Sequence, residues 1–522
     1  MFMNKKFNAA IDRAHALTDF NIHNNIHKQD EFQKQIILAD ESLSKDGKSE
    51  AIRELTKIYD SNKVVFNNGT RRVCENCNQK CLATLYCEFC VRNYLKVNFS
   101  NWTSENDDID NLIQECQMKT IRPGGIVEWI PYSNLKNINY LTKGGCSEIY
   151  TAKMIHGRYD EWDSKEQQLK RFGNHNVILK RLENVESANK RWFEEVTSHL
   201  NISNKWSDAI VKCFGLTQDP LNGDYMLVMN KLDIDLRKYL QQNHNQLTWK
   251  ERIQIATDII LALLRIHNEN AIHRDLHSGN ILFKSGLFNI SDLGFCGPAD
   301  RPLKSIYGNL PYIAPEVIAG KETTFKSDIY SIAMLMWEIS SGQPPFINYE
   351  HDYYLAMKII EGIRPKIVPG IPIEYKNLLI QCWDANPLNR PDVKTLLDKI
   401  REINLYYQNT NSNESTKLEE NDTRSEMNNL ENHTSSSKLF TSKVHQFENL
   451  PEPRNATEEE QQAFHGDKSC DFHIPNHNFQ EIMQQMKRNR INIDDEEEIY
   501  NNPNFHSEEQ DEFELPENMD EN

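Results

Sequence analysis

The sequence predicts an α+β protein of two unlike lobes, and three observations lead there. Short β-branched and apolar runs at 149–154, 177–179, 210–214 and 226–229 come first. Longer runs of helical period at 249–267, 326–340 and 353–361 follow them. From 407 onward the sequence turns polar and then acidic, with few aliphatic clusters. Strands gathered ahead of helices, each set with its own apolar residues, pack as separate layers and not as alternating β–α units. The domain holding both lobes is placed at 134–406.

Ahead of that domain, residues 1–69 are polar and rich in Asn, Lys and Asp, with short helical periodicity at 33–38 and 52–59. This arm is expected to be helical or partly disordered. Residues 70–93 hold five of the eleven cysteines: Cys74, Cys77, Cys81, Cys87 and Cys90. Cys74 with Cys77, and Cys87 with Cys90, form two CxxC pairs. Each pair can present two thiolates from one turn, and two such turns complete a tetrahedral site for structural Zn2+. Nine residues part the pairs, fewer than the roughly 12–20 of common patterns. Cys81 competes as a ligand, and a cluster of reduced structural thiols is the plain alternative. The stretch has no His or Asp for an open catalytic zinc site. Arg71, Arg72, Lys80 and Arg92 make it locally basic, but four charges among polar residues are usually a solvated face. A small module for binding a protein partner is the expectation. Residues 94–133 follow as a connector. Thr103, Ser104 or Asn106 can start a helix there, with Ile109, Leu112, Ile113 and Cys116 at helical spacing.

The tail, 407–522, lacks the aliphatic clusters that would offset its ordering entropy and is expected to be disordered. Its segment 440–453 (FTSKVHQFENLPEP) keeps aromatic and Pro residues, which suit either a docking segment or a sticky patch. Residues 451–522 carry 20 acidic and 5 basic residues, so most of the formal charge of −18 sits there. An acidic chain is a poor general binder of nucleic acid or anionic membrane. No apolar run of about 18 residues occurs, so no membrane span is expected. The first residues lack the apolar core of a secretory signal. The cysteine usage fits a reducing cytoplasmic or nuclear setting and not a disulfide framework.

Residues 273–280 read HRDLHSGN. In this catalytic-loop pattern an Asp, here Asp275, takes the proton of an acceptor hydroxyl, and an Asn five residues on, Asn280, holds a Mg2+ ion. Upstream, 177–180 (VILK) is an apolar strand ending in Lys180, placed to reach the α- and β-phosphates of ATP. Such a Lys needs a carboxylate. Glu195 in FEEVTSHL is the choice, because its spacing turns it inward with Val196 and His199, and Glu194 is the alternative. Residues 141–150 (LTKGGCSEIY) stand where a Gly-rich hairpin would cover the phosphates. Aligned on Ile149, only the central Gly144 survives, with Gly145 beside it; Thr142 and Ser147 replace the outer glycines, and Cys146 the aromatic tip. Downstream, 291–294 (SDLG) offers Asp292 as a second Mg2+ ligand, with Leu filling the usual Phe position. Ala314-Pro315-Glu316 with Arg390, and Asp328, are expected to hold the second lobe together.

With these motifs in order over 134–406, the sequence resembles eukaryotic protein kinases. The implied architecture is the bilobal protein kinase fold, with a β-rich N-lobe and an α-helical C-lobe. HRDLHSGNIL and LPYIAPE resemble the tyrosine-kinase-like branch, whose members mostly modify Ser and Thr. The cysteine pairs, the NWTS helix and FENLPEP are similar to expanded fungal kinase families. The resemblance implies ATP and Mg2+ as cofactors, Met229 as gatekeeper, and Asn230, Lys231 and Leu232 as the adenine hinge. Gly144, Gly145 and Ile149 would lie over the nucleotide. His277 departs from the pattern, replacing a Lys near the γ-phosphate, and Asn309 replaces a Thr. Arg274 is a candidate phosphate receiver for Ser305 or Tyr307 in the segment 292–316. The expected function is phosphoryl transfer to protein substrates in intracellular signalling. The alternatives are a pseudokinase scaffold and, disfavoured by the acidic balance, a zinc-ribbon nucleic-acid adaptor.

Overall fold

The computed structural model describes residues 2–19, 22–143, 147–182, 190–207, 209–284, 286–293, 297–298, 306–409, 442–447 and 450–466. Two compact units divide the chain, Met1–Gln461 and Gln462–Asn522. Both lobes, the arm and the cysteine segment lie in the first.

The polar arm is three helices, α1 (Phe2–Ala16), α2 (Ile26–Ala39) and α3 (Lys45–Val65). Ala10, Ala14, Ile37, Ala51 and Leu55 close a small core between them, and the side chains of Asn25 and Ser44 cap α2 and α3. With Ile11 and Leu43 the core has seven buried residues, three of them alanines, so the arm reads as polar while still burying a seam. The end of α3 grips the cysteine segment. Asp60, paired with Lys63 at 2.8 Å, accepts the backbone N–H groups of Thr84 and Leu85 at 2.9 and 2.8 Å.

That segment is a short hairpin, β1 (Arg72–Val73) and β2 (Lys80–Cys81), followed by α4 (Glu88–Val97). The connector helix α5 (Asp107–Met118) starts at Asn106, whose side chain accepts from Asp108 and Ile109. Its buried face, Ile109, Leu112, Ile113 and Cys116, enters the core of the N-lobe beside Leu227 and Met229.

The N-lobe sheet combines β3 (Glu128–Trp129), β4 (Leu135–Lys143), β5 (Glu148–Met154), β8 (His175–Arg181), β9 (Cys213–Gln218) and β10 (Tyr225–Asn230), in the order β3-β9-β10-β8-β5-β4. An inserted hairpin, β6 (Tyr159–Asp163) and β7 (Gln168–Arg171), pairs on itself between β5 and β8. Helix α6 (Lys190–Lys205) lies between β8 and β9 in the chain. Strand β3 joins in parallel because β9 has a glycine opposite it. A Cβ on Gly215, whose φ is +147°, would stand 1.7 Å from the Glu128 carbonyl oxygen.

The C-lobe opens with β11 (Ile234–Asp235), α7 (Leu236–Asn243) and α8 (Trp249–Asn268). Short strands β12 (Ala271–Ile272), β13 (Ile281–Lys284), β14 (Leu287–Ile290), β15 (Gly297–Pro298) and β16 (Ile306–Gly308) carry the loops of the site. Helices α9 (Pro315–Ile318), α10 (Phe325–Ser341), α11 (Tyr353–Ile360), α12 (Ile373–Cys382) and α13 (Val393–Asn409) complete it. Helix α10 is buried from Ser327 to Ser340, as a central helix must be. The Glu316–Arg390 pair expected from the sequence is present, bidentate at 2.8 and 2.7 Å and buried. Among the described residues, no helix is long and apolar enough to cross a membrane.

Inside the stretch read as a disordered tail, residues 442–447 and 450–461 lie against the C-lobe. Strand β17 (Lys443–His445) pairs antiparallel with β16, and α14 (Glu458–Gly466) follows. The aromatic and Pro residues of 440–453 are the physical reason. His445 stacks on Phe447 with ring centroids 5.6 Å apart, and Phe447 meets Tyr353 at 6.1 Å.

Candidate active site

The loop 273–280 is set by one buried carboxylate. Asp328 accepts the backbone N–H groups of His273 and Arg274 at 2.8 and 3.0 Å and a bond from the His267 ring at 2.9 Å. Burial is the largest influence and opposes its charge, but the His267 and His273 contacts together outweigh it and hold the Asp328 carboxyl below its usual range. Two consecutive N–H groups can aim at one carboxylate because Arg274 takes a left-handed backbone, φ 72°, a conformation that costs a non-Gly residue about 1 kcal/mol or more. The loop is tied onward as well. The His273 ring contacts the Ser291 carbonyl at 3.0 Å, Ser291 donates its N–H to the Asn280 carbonyl at 2.8 Å, and Asn280 Nδ2 donates to the Asp275 carbonyl at 2.9 Å. Asp275, Asn280 and Asp292 therefore share one hydrogen-bonded frame. With its amide nitrogen committed, Asn280 keeps Oδ1 as the atom to offer a cation.

Lys180 enters from the N-lobe. On β8 it is flanked by Ile149 of β5 and Leu227 of β10. Its Nζ lies 2.6 Å from Asp292 Oδ1. Asp292 is also left-handed, φ 55°, and Leu293 beside it fills the core at 0% exposure. Asp275 is buried, and burial, opposed by a hydrogen bond from Ser442 and reinforced by the Asp292 carboxylate, raises its carboxyl to about 7. A base in that range is matched to proton transfer near neutrality.

The sequence-predicted carboxylates Glu195 and Glu194 lie on α6, but their side chains fall outside the described residues. Gly144, Gly145, Cys146 and Ser305 fall outside them entirely. Tyr307 stands on β16. Val196 and His199 are buried on α6, and the positive charge of Lys180 is among the influences on the His199 ring. Along the hinge, Met229 is in the N-lobe core, and Leu232 and Leu282 pack against the same cluster, an apolar floor suited to a purine. Asn230 donates its N–H to the Lys212 carbonyl at 2.9 Å, and Lys284 Nζ donates to the Lys231 carbonyl at 2.7 Å. Sequence reasoning missed Leu282. Its signal was its place two residues after Asn280.

On the acceptor side, His277 occupies the position expected of a Lys. Its Nδ1 accepts the Gly279 N–H at 3.1 Å, so in the neutral ring Nε2 carries the hydrogen. Burial, then the charge of Arg237, lowers this ring to about 3 and keeps it neutral. Asp275 also accepts a hydrogen bond from the Asn309 backbone. The other contact here was not legible in the sequence. Ser442, from the tail, donates its hydroxyl to Asp275 Oδ1 at 2.8 Å and lies 3.1 Å from His277 Nε2.

The cysteines form a second cluster. The Sγ atoms of Cys74, Cys77, Cys87 and Cys90 all lie within 4.8 Å of one another, with Cys74 to Cys90 at 3.7 Å and Cys77 to Cys87 at 3.6 Å. Four thiolates about 2.3 Å from a tetrahedral cation stand about 3.8 Å apart, so the donor set fits. Asn78, at φ 55°, turns the chain after the first pair, and Asn76 Nδ2 reaches Cys90 Sγ at 3.5 Å. Burial opposes ionisation of Cys74, but the Cys77 and Asn76 backbone N–H groups hold its thiol down at about 7. Cys81 instead points to the Arg72 carbonyl at 3.5 Å. Trp162 of the inserted hairpin packs on the cluster, so the cysteine segment is built into the N-lobe and not hung from it.

Comparison with known proteins agrees with this geometry. A family model described as protein tyrosine and serine/threonine kinase matches residues 135–400. The chain is 34% identical over 198 residues to the dual specificity protein kinase zakA of Dictyostelium discoideum, an overlap of 34% of this chain and 25% of that protein. It is 35% identical over 190 residues to zak2 of the same organism, covering 32% of this chain and 30% of that protein. It is 32% identical over 183 residues to the dual serine/threonine and tyrosine protein kinase of Mus musculus, covering 34% and 19%. The chain thus spans less than a third of the length of these relatives.

Proposed function

This chain belongs to the protein tyrosine and serine/threonine kinase family, and we propose that it transfers the γ-phosphate of ATP to hydroxyl groups of proteins, chiefly Ser and Thr, in intracellular signalling. One observation carries the reading. Asp275, Asn280 and Asp292 are locked in a single hydrogen-bonded frame, and Lys180 is drawn onto that frame at 2.6 Å. Phosphoryl transfer asks a protein for little covalent chemistry. It asks for positioning and for charge neutralisation, which such a frame supplies.

The roles follow from the atoms. Lys180 offers its ammonium to the α- and β-phosphates, with Glu195 as its second carboxylate. Asp275 takes the hydroxyl proton. Asn280 Oδ1 and the Asp292 carboxylate would hold Mg2+, which when bound neutralises charge on the phosphate oxygens. His277 gives a neutral N–H donor where related enzymes place an ammonium. The relatives' names, dual specificity kinases among them, support a protein hydroxyl as acceptor. Beside the kinase site, the four thiols are read as holding structural Zn2+, clamping the cysteine segment for contact with a protein partner.

A second reading, a scaffold that binds nucleotide or partners without efficient transfer, has His277 in its favour. The test is ADP release and 32P incorporation into a mixed peptide library with Mg·ATP, wild type beside Asp275→Asn. Incorporation on Ser and Thr by the wild type alone is the expected result. Nucleotide binding with no incorporation into peptide or into the chain itself would transfer the reading to the scaffold.

A further inference from the structure

We propose that Ser442 is a phosphoacceptor of this kinase itself, presented in cis by a tail segment docked in the substrate channel. The proposal rests on the kinase reading above and identifies one substrate of that site.

Three independent contacts build the arrangement. First, the hydroxyl is oriented. His277 Nδ1 is taken by the Gly279 N–H, so Nε2–H points to Ser442 Oγ at 3.1 Å and donates to it. Among the described residues the serine's own proton is then accepted by Asp275 Oδ1 at 2.8 Å. Ser442 is buried, 8% exposed. Second, the backbone that follows is held as a strand. Lys443, Val444 and His445 register with Gly308, Tyr307 and Ile306, and His445 Nε2 reaches the Gly308 carbonyl at 3.0 Å. A short strand laid on a fixed one is how extended peptides are commonly bound, with main-chain bonds giving affinity.

Third, the tail is anchored again beyond the strand. Arg454 donates its N–H to the Ile360 carbonyl at 3.0 Å, and Asn455 Oδ1 accepts the Ala385 N–H at 2.8 Å. Gln461 Nε2 donates to the Gly362 carbonyl at 2.8 Å. The backbones meet directly at Gly362, whose φ is +94°, and a Cβ there would stand 2.1 Å from Ala456 N. Gly362 also ends α11 in a left-handed turn, and its missing side chain leaves room for the tail backbone.

The chemistry balances with ATP as co-substrate. Ser442 Oγ forms a bond to the γ-phosphorus, the bond from that phosphorus to the β–γ bridging oxygen breaks, and ADP leaves. The hydroxyl proton passes to Asp275. The product carries a charge of about −2 beside Asp275 and Asp292, so repulsion drives the segment out and leaves the channel to other proteins.

The experiment uses the full chain, stripped of phosphate by a phosphatase that is then removed, and incubated with Mg·ATP across a hundredfold range of protein concentration. Site occupancy is read by mass spectrometry, and a generic Ser/Thr peptide is phosphorylated in parallel. The expected result is Ser442 phosphate with a first-order rate independent of concentration, absent in Asp275→Asn. Asn455→Ala, which loosens only the second anchor, is expected to slow Ser442 several-fold while phosphorylating the peptide at least as fast as wild type. Peptide phosphorylation with Ser442 unmodified would overturn the proposal and leave the kinase reading standing. A rate at Ser442 that rises with protein concentration would overturn its intramolecular part. Phosphate on neither peptide nor chain would overturn both.

Discussion

Lys180 Nζ and Asp292 Oδ1 are 2.6 Å apart across the seam between the lobes. Each is the other's counter-ion, with Lys180 drawn from a strand and Asp292 from a left-handed turn. The pair pre-orients two charges that phosphates and Mg2+ would later share. Lys180→Met is therefore expected to leave the fold intact and to cut the peptide phosphorylation rate by about a hundredfold or more, the scale on which a single electrostatic group is lost from an active site. Steady-state kinetics beside a circular dichroism spectrum checks this, and a rate within threefold of wild type would refute it.

His199 is 1% exposed, and neither ring nitrogen has a hydrogen-bond partner among the described residues. Burial lowers its pKa to about 3. Between that value and the unfolded value of about 6.5, the unfolded chain binds the proton and the folded chain does not. Stability from this group is therefore full above about pH 6.5 and is lost as pH falls toward 3. His273 and His277 are lowered by burial as well and act in the same direction. His199→Leu should raise Tm by a few degrees at pH 7 and flatten its decline between pH 6.5 and 5. Thermal melts across that range decide it, and an unchanged slope would remove the assignment.

Glu316 and Arg390 form a bidentate pair in the C-lobe interior, and Arg390 also donates to the Asp384 and Lys326 carbonyls at 2.8 and 2.9 Å. Replacing one partner strands the other. Arg390→Met should cost about 3–5 kcal/mol, seen as a large drop in urea midpoint or as insoluble protein. Soluble variant with a wild-type midpoint would contradict the interior role.

Four thiols whose close pairs are 3.6–3.7 Å apart call for a cation. Protein prepared without chelator should contain about one zinc per chain by elemental analysis. Cys77→Ser should lower that figure and expose the hairpin at Trp162, detectable as a shift in tryptophan emission. Zinc-free protein with native emission would leave reduced thiols as the account.

The catalytic loop was legible because its chemistry fixes both residue type and spacing. On the proposed reading a base at 275 and a metal ligand at 280 leave the same loop, so the sequence displays them side by side. The Glu316–Arg390 and Asp328 contacts were legible for the same reason, as parts of one motif set. The arm's helices were only half visible, because a seam of Ala10, Ala14 and Ala51 carries little hydrophobic signal. The β3–β9 pairing was hidden, since it depends on a single missing Cβ at Gly215. Ser442 was hidden most deeply. It lies 167 residues from Asp275, and its neighbours 440–447 show only that something aromatic sits in a polar tail. Nothing local tells a serine that it will meet an aspartate. That information resides in the register of β16 with β17 and in the seat at Gly362.

The joining of β17 to β16 sets a threshold for every outside substrate. A serine attached to the same chain is presented at an effective concentration on the order of millimolar, and dilution does not lower it. Any other protein must outbid that resident on affinity or wait until the resident has been modified. If Ser442 is modified as proposed, the site would answer only tight partners before that event and weaker ones as well afterward. The breadth of its specificity would then be a property of its history, erased only by a phosphatase.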